Sequence, residues 1–351
     1  MTKGHITIKD IANEAGVSIG TVDRVLHNRG EVAEATRKKI ESIAAQYNYK
    51  PNLMARALTT NRTFHIGILI PQASSTNNYW SSHYEGIRQK AFELETYAVK
   101  VSFFRFDINT AIDFVRASRE LVEAKVNGAI VAPLFKKESE ELASTLDLYN
   151  IPYLFIDTDL NNTNAIGFVG EDAYQSGRVA ASVIDFGLPT TRDILMVNLA
   201  KDLDNAQHIS SRNQGFLSYF MDFGRNNGVR MSVEITQATF EAVSERLTSV
   251  LDNNKNIGAI WVSGGHTYLV AQFLEKNARR NIILVGHEVY EQNVVYLQRN
   301  YIQFLIAQQP KEQGIKALNS MFAFLTDGKQ PIKQEYQKVE IVNSENVRFY
   351  I

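Results

Sequence analysis

The sequence predicts an α/β protein in two unlike parts: a small all-helical module, then two doubly wound parallel-sheet subdomains. Three observations predict it. Residues 7–47 carry apolar positions at helical spacing, interrupted by a Gly-containing turn. From residue 64 onward, Val/Ile/Phe-rich runs of strand length alternate with helical stretches in two successive series. Charge divides the same way: the first 62 residues hold ten Lys/Arg against six Asp/Glu and the remainder 27 against 32, so a net charge of −1 conceals a basic end on an acidic body.

Taking the elements in order, Thr7 and Asp10 form a T-x-x-D capping pair that opens a helix over Ile8–Ala15. Gly16-Val17 supplies a turn, and Ser18 caps a second helix running to about His27. A third helix is expected over Glu34–Tyr47, with Ile40, Ile43, Ala44 and Tyr47 on one apolar face. The second helix presents Gly20, Asp23, Arg24 and His27 outward, which is a helix-turn-helix layout. Residues 51–58, PNLMARAL, read as a short helix begun by Pro51, too short to be stable alone.

These parts resemble the DNA-binding headpiece of the LacI/GalR family of bacterial transcription regulators. Besides A-x-x-A-G-V-S and T-V-x-R-V-L, the family has V-x-x-x-T-R, matched by Val32, Thr36 and Arg37, then Y-x-P-N at Tyr49, Pro51 and Asn52, and A-x-x-L at Ala55 and Leu58. The resemblance implies that the second helix enters the major groove of double-stranded operator DNA, with Ile19 and Gly20 facing base edges and Arg24 reaching a guanine, whose O6 and N7 suit a guanidinium. Thr7, Ser18 and Thr21 would contact phosphates. Asn52, Ala55 and Leu58 belong to a hinge helix that folds on DNA, where Leu58 wedges into a base step from the minor groove. Three positions depart from the pattern. Gly20 removes a reading side chain, Asp23 brings a carboxylate near phosphate, and Ala33 replaces a capping Ser.

The first strand series is 65–71, 99–106, 128–134, 152–157 and 165–170, with helices expected over 81–97, 110–126 and 137–149. The second is 193–199, 230–236, 257–264, 281–288, 303–308 and 336–343, and a last strand is expected over Asn346–Ile351. Near-continuous apolar strands with helical crossovers are parallel sheets covered on both faces. The arrangement resembles the type I periplasmic-binding-protein fold that the family carries behind its headpiece. The expected division is residues 1–50 for the headpiece, 51–63 for hinge and linker, and 64–351 for the ligand domain. Within the last, one subdomain takes about 64–165 and 290–325, the other about 166–289 and 326–351.

In such sheets ligands bind where strands end. Asn78, Tyr79 and Trp80 follow the first strand like the family's aromatic N-P-F-F segment, which stacks on a sugar ring. Asp157 ends PYLFID, Arg212 opens an R-x-x-G-F match, and Phe240 stands where a further stacking aromatic is found. Glu288 closes VGHE in place of V-G-F-D, and Gln308 lies in IAQQP, close to I-A-Q-x-P. Gly264 and His266 occupy a position where sugar binders have N-D. As alternatives, Trp80 and Phe240 are core residues, Asp157 and Glu288 helix caps, and His266 a surface residue.

The resemblance thus implies a cytoplasmic regulator, most simply a homodimeric repressor, controlled by a small sugar or sugar derivative. A non-sugar effector (nucleobase or polyol phosphate) and a sugar-binding transport protein are the alternatives. The N-terminus lacks the apolar segment of a signal peptide, and no 18-residue apolar run would cross a membrane. Cysteine is absent, and the seven histidines show no metal-ligand spacing. No phosphate-binding, dinucleotide, nucleophile-elbow or zincin motif occurs, so neither a cofactor nor catalysis is expected. Without trailing apolar heptads, a dimer rather than a tetramer is expected.

Overall fold

The computed structural model describes residues 6–26, 30–47, 49, 63–73, 79–199, 207–223 and 229–351. Three helices come first: α1 (Ile8–Ala15), α2 (Ile19–Leu26) and α3 (Glu34–Gln46). The Thr7/Asp10 capping box is present, and Gly16 closes α1 at φ 71°, a left-handed conformation that glycine adopts without a Cβ clash. Ser18 Oγ accepts from the Thr21 amide at 3.1 Å and so opens α2. Ala33, as its side chain dictates, gives α3 no side-chain cap. Ile11, Ala12, Ala15, Val22, Val25, Ile40 and Ile43 form the small core. Tyr47, expected on the apolar face, is 46 % exposed, while Tyr49 packs against the core instead. The chain leaves helical spacing at Gln46, which turns the expected i+7 position away.

The rest is two lobes. The first sheet contains β1 (Phe64–Pro71), β2 (Val99–Phe106), β3 (Gly128–Val131), β4 (Tyr153–Asp157), β5 (Gly167–Gly170) and a late strand, β11 (Gln334–Tyr336), in the order β11-β5-β4-β3-β1-β2. The second contains β6 (Asp193–Leu199), β7 (Val229–Ile235), β8 (Ile257–Val262), β9 (Ile283–His287), β10 (Phe304–Ala307) and β12 (Glu340–Val342), in the order β12-β10-β9-β8-β6-β7. The two orders correspond strand for strand, with β4 matching β9 and β5 matching β10. Every pairing is parallel except β10 with β12.

Helices α4 (Tyr79–Leu94), α5 (Ala111–Glu123), α6 (Lys136–Leu148) and α12 (Pro310–Asp327) cover the first sheet. α7 (Ala173–Gly187), α8 (Gln207–Asp222), α9 (Phe240–Asn253), α10 (Thr267–Lys276) and α11 (Glu291–Gln298) belong to the second lobe. Each sheet is thus buried between apolar layers, which is why its central strands are apolar throughout.

Sheet membership corrects the expected boundaries. β5 pairs with β4, so the first lobe runs past residue 165 to Gly170. α11 and β10, expected in the first lobe, lie in the second, because β10 pairs with β9. The expected strand 336–343 is two short strands in different sheets, since the chain crosses between lobes in the middle of it. The last expected strand is a 3-10 turn, Val347–Phe349. The chain therefore passes between lobes three times, at residues 171–172, 308–309 and 337–339.

One packing device recurs in both lobes. A Cβ on Gly177 of α7 would lie 1.9 Å from the Arg212 carbonyl of α8, and one on Gly215 of α8 would lie 1.8 Å from the Tyr174 carbonyl of α7. In the first lobe, Gly86 of α4 faces the Lys311 carbonyl at 2.1 Å and Gly314 of α12 faces the His83 carbonyl at 2.5 Å. Only glycine lets these helices cross in backbone contact. Both crossings hold a residue of the buried polar cluster described next, His83 in one lobe and Arg212 in the other.

Candidate functional site

On the headpiece, Ser18, Ile19, Gly20 and Arg24 are all exposed along one side of α2. A Cβ on Gly20 would meet only Ser18 Oγ, at 3.7 Å, so this face is open where a side chain is missing. The hydroxyls of Ser18 and Thr21 bond each other at 2.9 Å. The Thr7 hydroxyl donates to Asp10 at 2.6 Å and is therefore already engaged in the capping box. Asp23 is half-buried and has a partner of its own. His27, Asn52, Ala55 and Leu58 lie outside the described residues, as does Asn78.

In the two lobes, the expected residues Tyr79, Asp157, Arg212, Glu288 and Gln308 come together where the central strands end. Asp157 terminates β4, and Glu288 follows β9, the corresponding strand of the other lobe. Both have left-handed backbones, φ 72° and φ 67°, a conformation that costs a non-glycine residue about 1–3 kcal/mol and concentrates at functional sites. Glu171 and Gln308 are a second corresponding pair, one just beyond β5 and the other just beyond β10.

Arg212 is 2 % exposed and lies at the centre. Its Nε and Nη2 donate to Glu171 Oε2 at 3.1 and 2.6 Å, Nη1 donates to the Ser263 carbonyl at 2.9 Å, and Nη2 also reaches Glu288 Oε1 at 3.3 Å. Four of the five guanidinium N–H groups are thereby used within the protein. Burial opposes the Arg212 charge, but the carboxylates of Glu171 and Glu288 outweigh it and raise its pKa. Arg212 is thus first a strut between carboxylates, where the sequence suggested a reader of sugar hydroxyls.

From Glu288 the contacts continue into the first lobe. Gln308 Nε2 lies 2.8 Å from Glu288 Oε1, and Gln308 Oε1 lies 3.1 Å from the Tyr79 hydroxyl and 3.0 Å from Gln313 Nε2. Tyr79 donates to Asp157 in a short contact, and Thr158 donates to the other Asp157 oxygen at 3.1 Å. Gln313 Oε1 is 2.9 Å from His83 Nε2, and His83 Nδ1 is 3.2 Å from the Tyr79 carbonyl. Burial raises the Glu288 carboxyl to about 7, against the opposing pull of Arg212. Burial likewise lowers His83, and lowers His208, beside Arg212, to about 4. Glu171 Oε1 is buried with no hydrogen-bond partner. A cavity of about 590 Å³ opens beside the cluster, lined by Tyr79, Glu288, Tyr290, Gln308, Lys311 and Tyr350 among others.

Other expected residues lie elsewhere. Trp80 is 4 % exposed and stacked on His83 at 4.7 Å, a core residue supporting the site from behind. Phe240 packs against the second lobe's core with the Lys276 ammonium 3.9 Å over its ring. Gly264 is buried and its carbonyl accepts from Thr267 at 3.3 Å, while His266 stands at the start of α10 without capping it. Sequence reasoning missed Glu171, His83 and Gln313. Glu171 had the same signal as Asp157, a carboxylate closing an apolar strand. His83 and Gln313 sit at helical positions with nothing local to mark them. Among the described residues no helix is long and apolar enough to cross a membrane, and no three His, Asp or Glu side chains are grouped to hold a metal ion.

Comparison with known proteins agrees with this two-part build. The model for bacterial regulatory proteins of the lacI family matches residues 7–52, and that for the periplasmic binding protein domain matches residues 66–330. The transcriptional regulator MalR of Streptococcus pneumoniae is 31 % identical over 175 residues, 49 % of this chain and 51 % of that protein. The chain thus matches about half the length of such curated relatives. The ribose operon repressor of Lactococcus lactis is 25 % identical over 328 residues, covering 92 % of this chain and 91 % of that one. Among solved structures, GanP, a glucose-galactose binding protein from Geobacillus stearothermophilus, superposes on 82 % of this chain and 99 % of its own at a TM-score of 0.70 and 23 % identity, which is a likeness of fold. With a lacI-type headpiece on a periplasmic-binding-protein domain that fills three quarters of its length, the chain belongs to the LacI family of bacterial transcription regulators.

Proposed function

We propose that the protein is a cytoplasmic, homodimeric transcription regulator, acting as a repressor, whose affinity for operator DNA is set by a sugar or sugar derivative bound between the two lobes. The observation that carries the effector reading is the polar cluster itself. Asp157, Glu171 and Glu288, with the amide of Gln308, converge from both lobes on one cleft, and this is the donor and acceptor set a polyhydroxylated ring requires. A phosphorylated effector is suited less well, because the described cation at the centre is already bonded to two carboxylates.

The route of control follows from the three passages between lobes. A ligand bridging Asp157 and Glu288 favours one separation of the lobes, and a coupling of about 1–3 kcal/mol to operator binding gives roughly 5- to 150-fold regulation. The names of the relatives, a transcriptional regulator and a ribose operon repressor, support this reading. The headpiece in the same chain weighs against a transport role. The test is operator binding by gel mobility across a panel of pentoses, hexoses, polyols and their phosphates. If no compound in the panel changes operator affinity while the protein binds operator alone, the effector reading is wrong.

A further inference from the structure

We propose that His83 and Gln313 are positioning residues that fix the direction of the Gln308 amide, so that Glu288 stands in the unliganded cleft as a neutral carboxylic acid donating its proton to Gln308. The relevance to an effector rests on the reading of this cleft given above; the placement of the proton does not.

The argument is one of counting hydrogens along a chain of contacts. The oxygen and nitrogen of a glutamine side chain have nearly the same shape, so which is which follows from their partners. At one end, His83 Nδ1 faces the Tyr79 carbonyl, which can only accept, so Nδ1 carries a hydrogen. His83 is fully buried, and burial disfavours its cation, so the ring is neutral and Nε2 is an acceptor. Gln313 must then turn its NH2 toward His83, 2.9 Å away, and its oxygen toward Gln308, 3.0 Å away. Gln308 in turn offers NH2 to Gln313 and to the Tyr79 oxygen, which frees the single Tyr79 hydrogen for Asp157. The Gln308 oxygen is left facing Glu288 Oε1 at 2.8 Å, and two oxygens at that distance share a proton. That proton belongs to Glu288.

The opposite orientation needs a buried imidazolium at His83, while Glu288 Oε1, charged or neutral, would only accept from Gln308. It also leaves the one Tyr79 hydrogen facing two acceptors, Asp157 and Gln308. The neutral arrangement satisfies every contact and separates no charge. The groups around Glu288 agree with it. Glu171 and Asp157 oppose its ionisation, Arg212 favours it, and the adjoining cavity adds Lys311, Glu312 and Glu340; burial dominates and places its pKa at about 7. His83 and Gln313 are completely buried, so they act on the cleft through Gln308.

The test uses the full-length protein without DNA or ligand. Infrared difference spectra should show a protonated carboxyl band at pH 6 that disappears on titration through about 7 and is missing in Glu288→Gln. Nitrogen NMR of labelled histidine should show His83, assigned by loss in His83→Phe, as neutral with hydrogen on Nδ1 at neutral pH. With the ring's bias removed but its stack on Trp80 kept, His83→Phe should lower the pH at which the Glu288 band disappears by at least about one unit. An imidazolium at His83, no Glu288-dependent band, or an unmoved titration in His83→Phe each overturns the inference. If His83→Phe misfolds, the carboxyl band of the unaltered protein set against that of Glu288→Gln still decides where the proton lies. A protein with this proton placement whose operator affinity no sugar changes would sink the effector reading and leave this inference standing.

Discussion

Replacing Gly177 with alanine tests whether the cleft is held by the backbone crossing of α7 and α8. The new Cβ would lie 1.9 Å from the Arg212 carbonyl oxygen, where real Cβ contacts stay beyond 3.0 Å, so the helices must part by at least about 1.1 Å. Gly215 leaves no slack in the other direction, since its own Cβ position is 1.8 Å from Tyr174. Overpacking of this kind costs about 1–3 kcal/mol. Carrying Arg212 away also stretches its 2.6 Å bond to Glu171, and loosening a buried charged hydrogen bond adds about 1–3 kcal/mol. The total of about 2–6 kcal/mol corresponds to a fall of roughly 5–20 °C in Tm for a domain this size. Melting followed by circular dichroism would measure it, with effector affinity by calorimetry expected to fall at least about tenfold. A Tm within about 2 °C of the parent and an intact effector response would refute the reasoning.

Arg24→Ala should cost about 1–3 kcal/mol on the specific operator and little on random DNA; equal losses on both would make Arg24 a phosphate contact only. Arg212→Ala strips the cation from the buried Glu171 carboxylate and removes a donor from Glu288, and should destabilise the ligand domain by about 3–5 kcal/mol, so a normally stable variant blind only to effector would show the strut role to be wrong. Glu288, raised by burial from 4.5 to about 7, favours the folded state when protonated; that stability is complete below 4.5 and is lost as pH rises through 7. At 1.36 kcal/mol per pH unit the loss is about 3 kcal/mol, and Glu288→Gln should abolish it, so parallel pH–stability curves would contradict the assignment. Light scattering of the protein should give a dimer at micromolar concentration, and a tetramer would refute the homodimer proposed above.

Local chemistry made much of this legible in the sequence. The Thr7/Asp10 box, the Gly16 turn and the strand runs depend on neighbours a few residues apart, and α1 and most strands lie where spacing placed them. Asp157, Glu288 and Gln308 were visible because strand ends are marked by a sharp change from apolar to polar. What could not be read depends on distant partners. Nothing near residue 338 says that the chain changes lobes there, since β11 and β12 are short and pair with strands far away. Trp80 looked like a ring for stacking on a ligand, but its partner His83 is one helical turn on and turned toward Gln313, 230 residues later.

The three passages between lobes also set the order in which the molecule can be completed. β5 lacks its outer neighbour until β11 at Gln334–Tyr336 is made, and β10 lacks its own until β12 at Glu340–Val342. Contacts so distant in sequence form slowly, whereas the headpiece closes on contacts within its first few dozen residues. A chain emerging from the ribosome therefore carries a finished headpiece well before either lobe is closed. Truncation between residues 308 and 333 would strip both sheets of an edge strand, not leave one damaged lobe beside one intact, and would expose β5 and β10 to pairing with other chains.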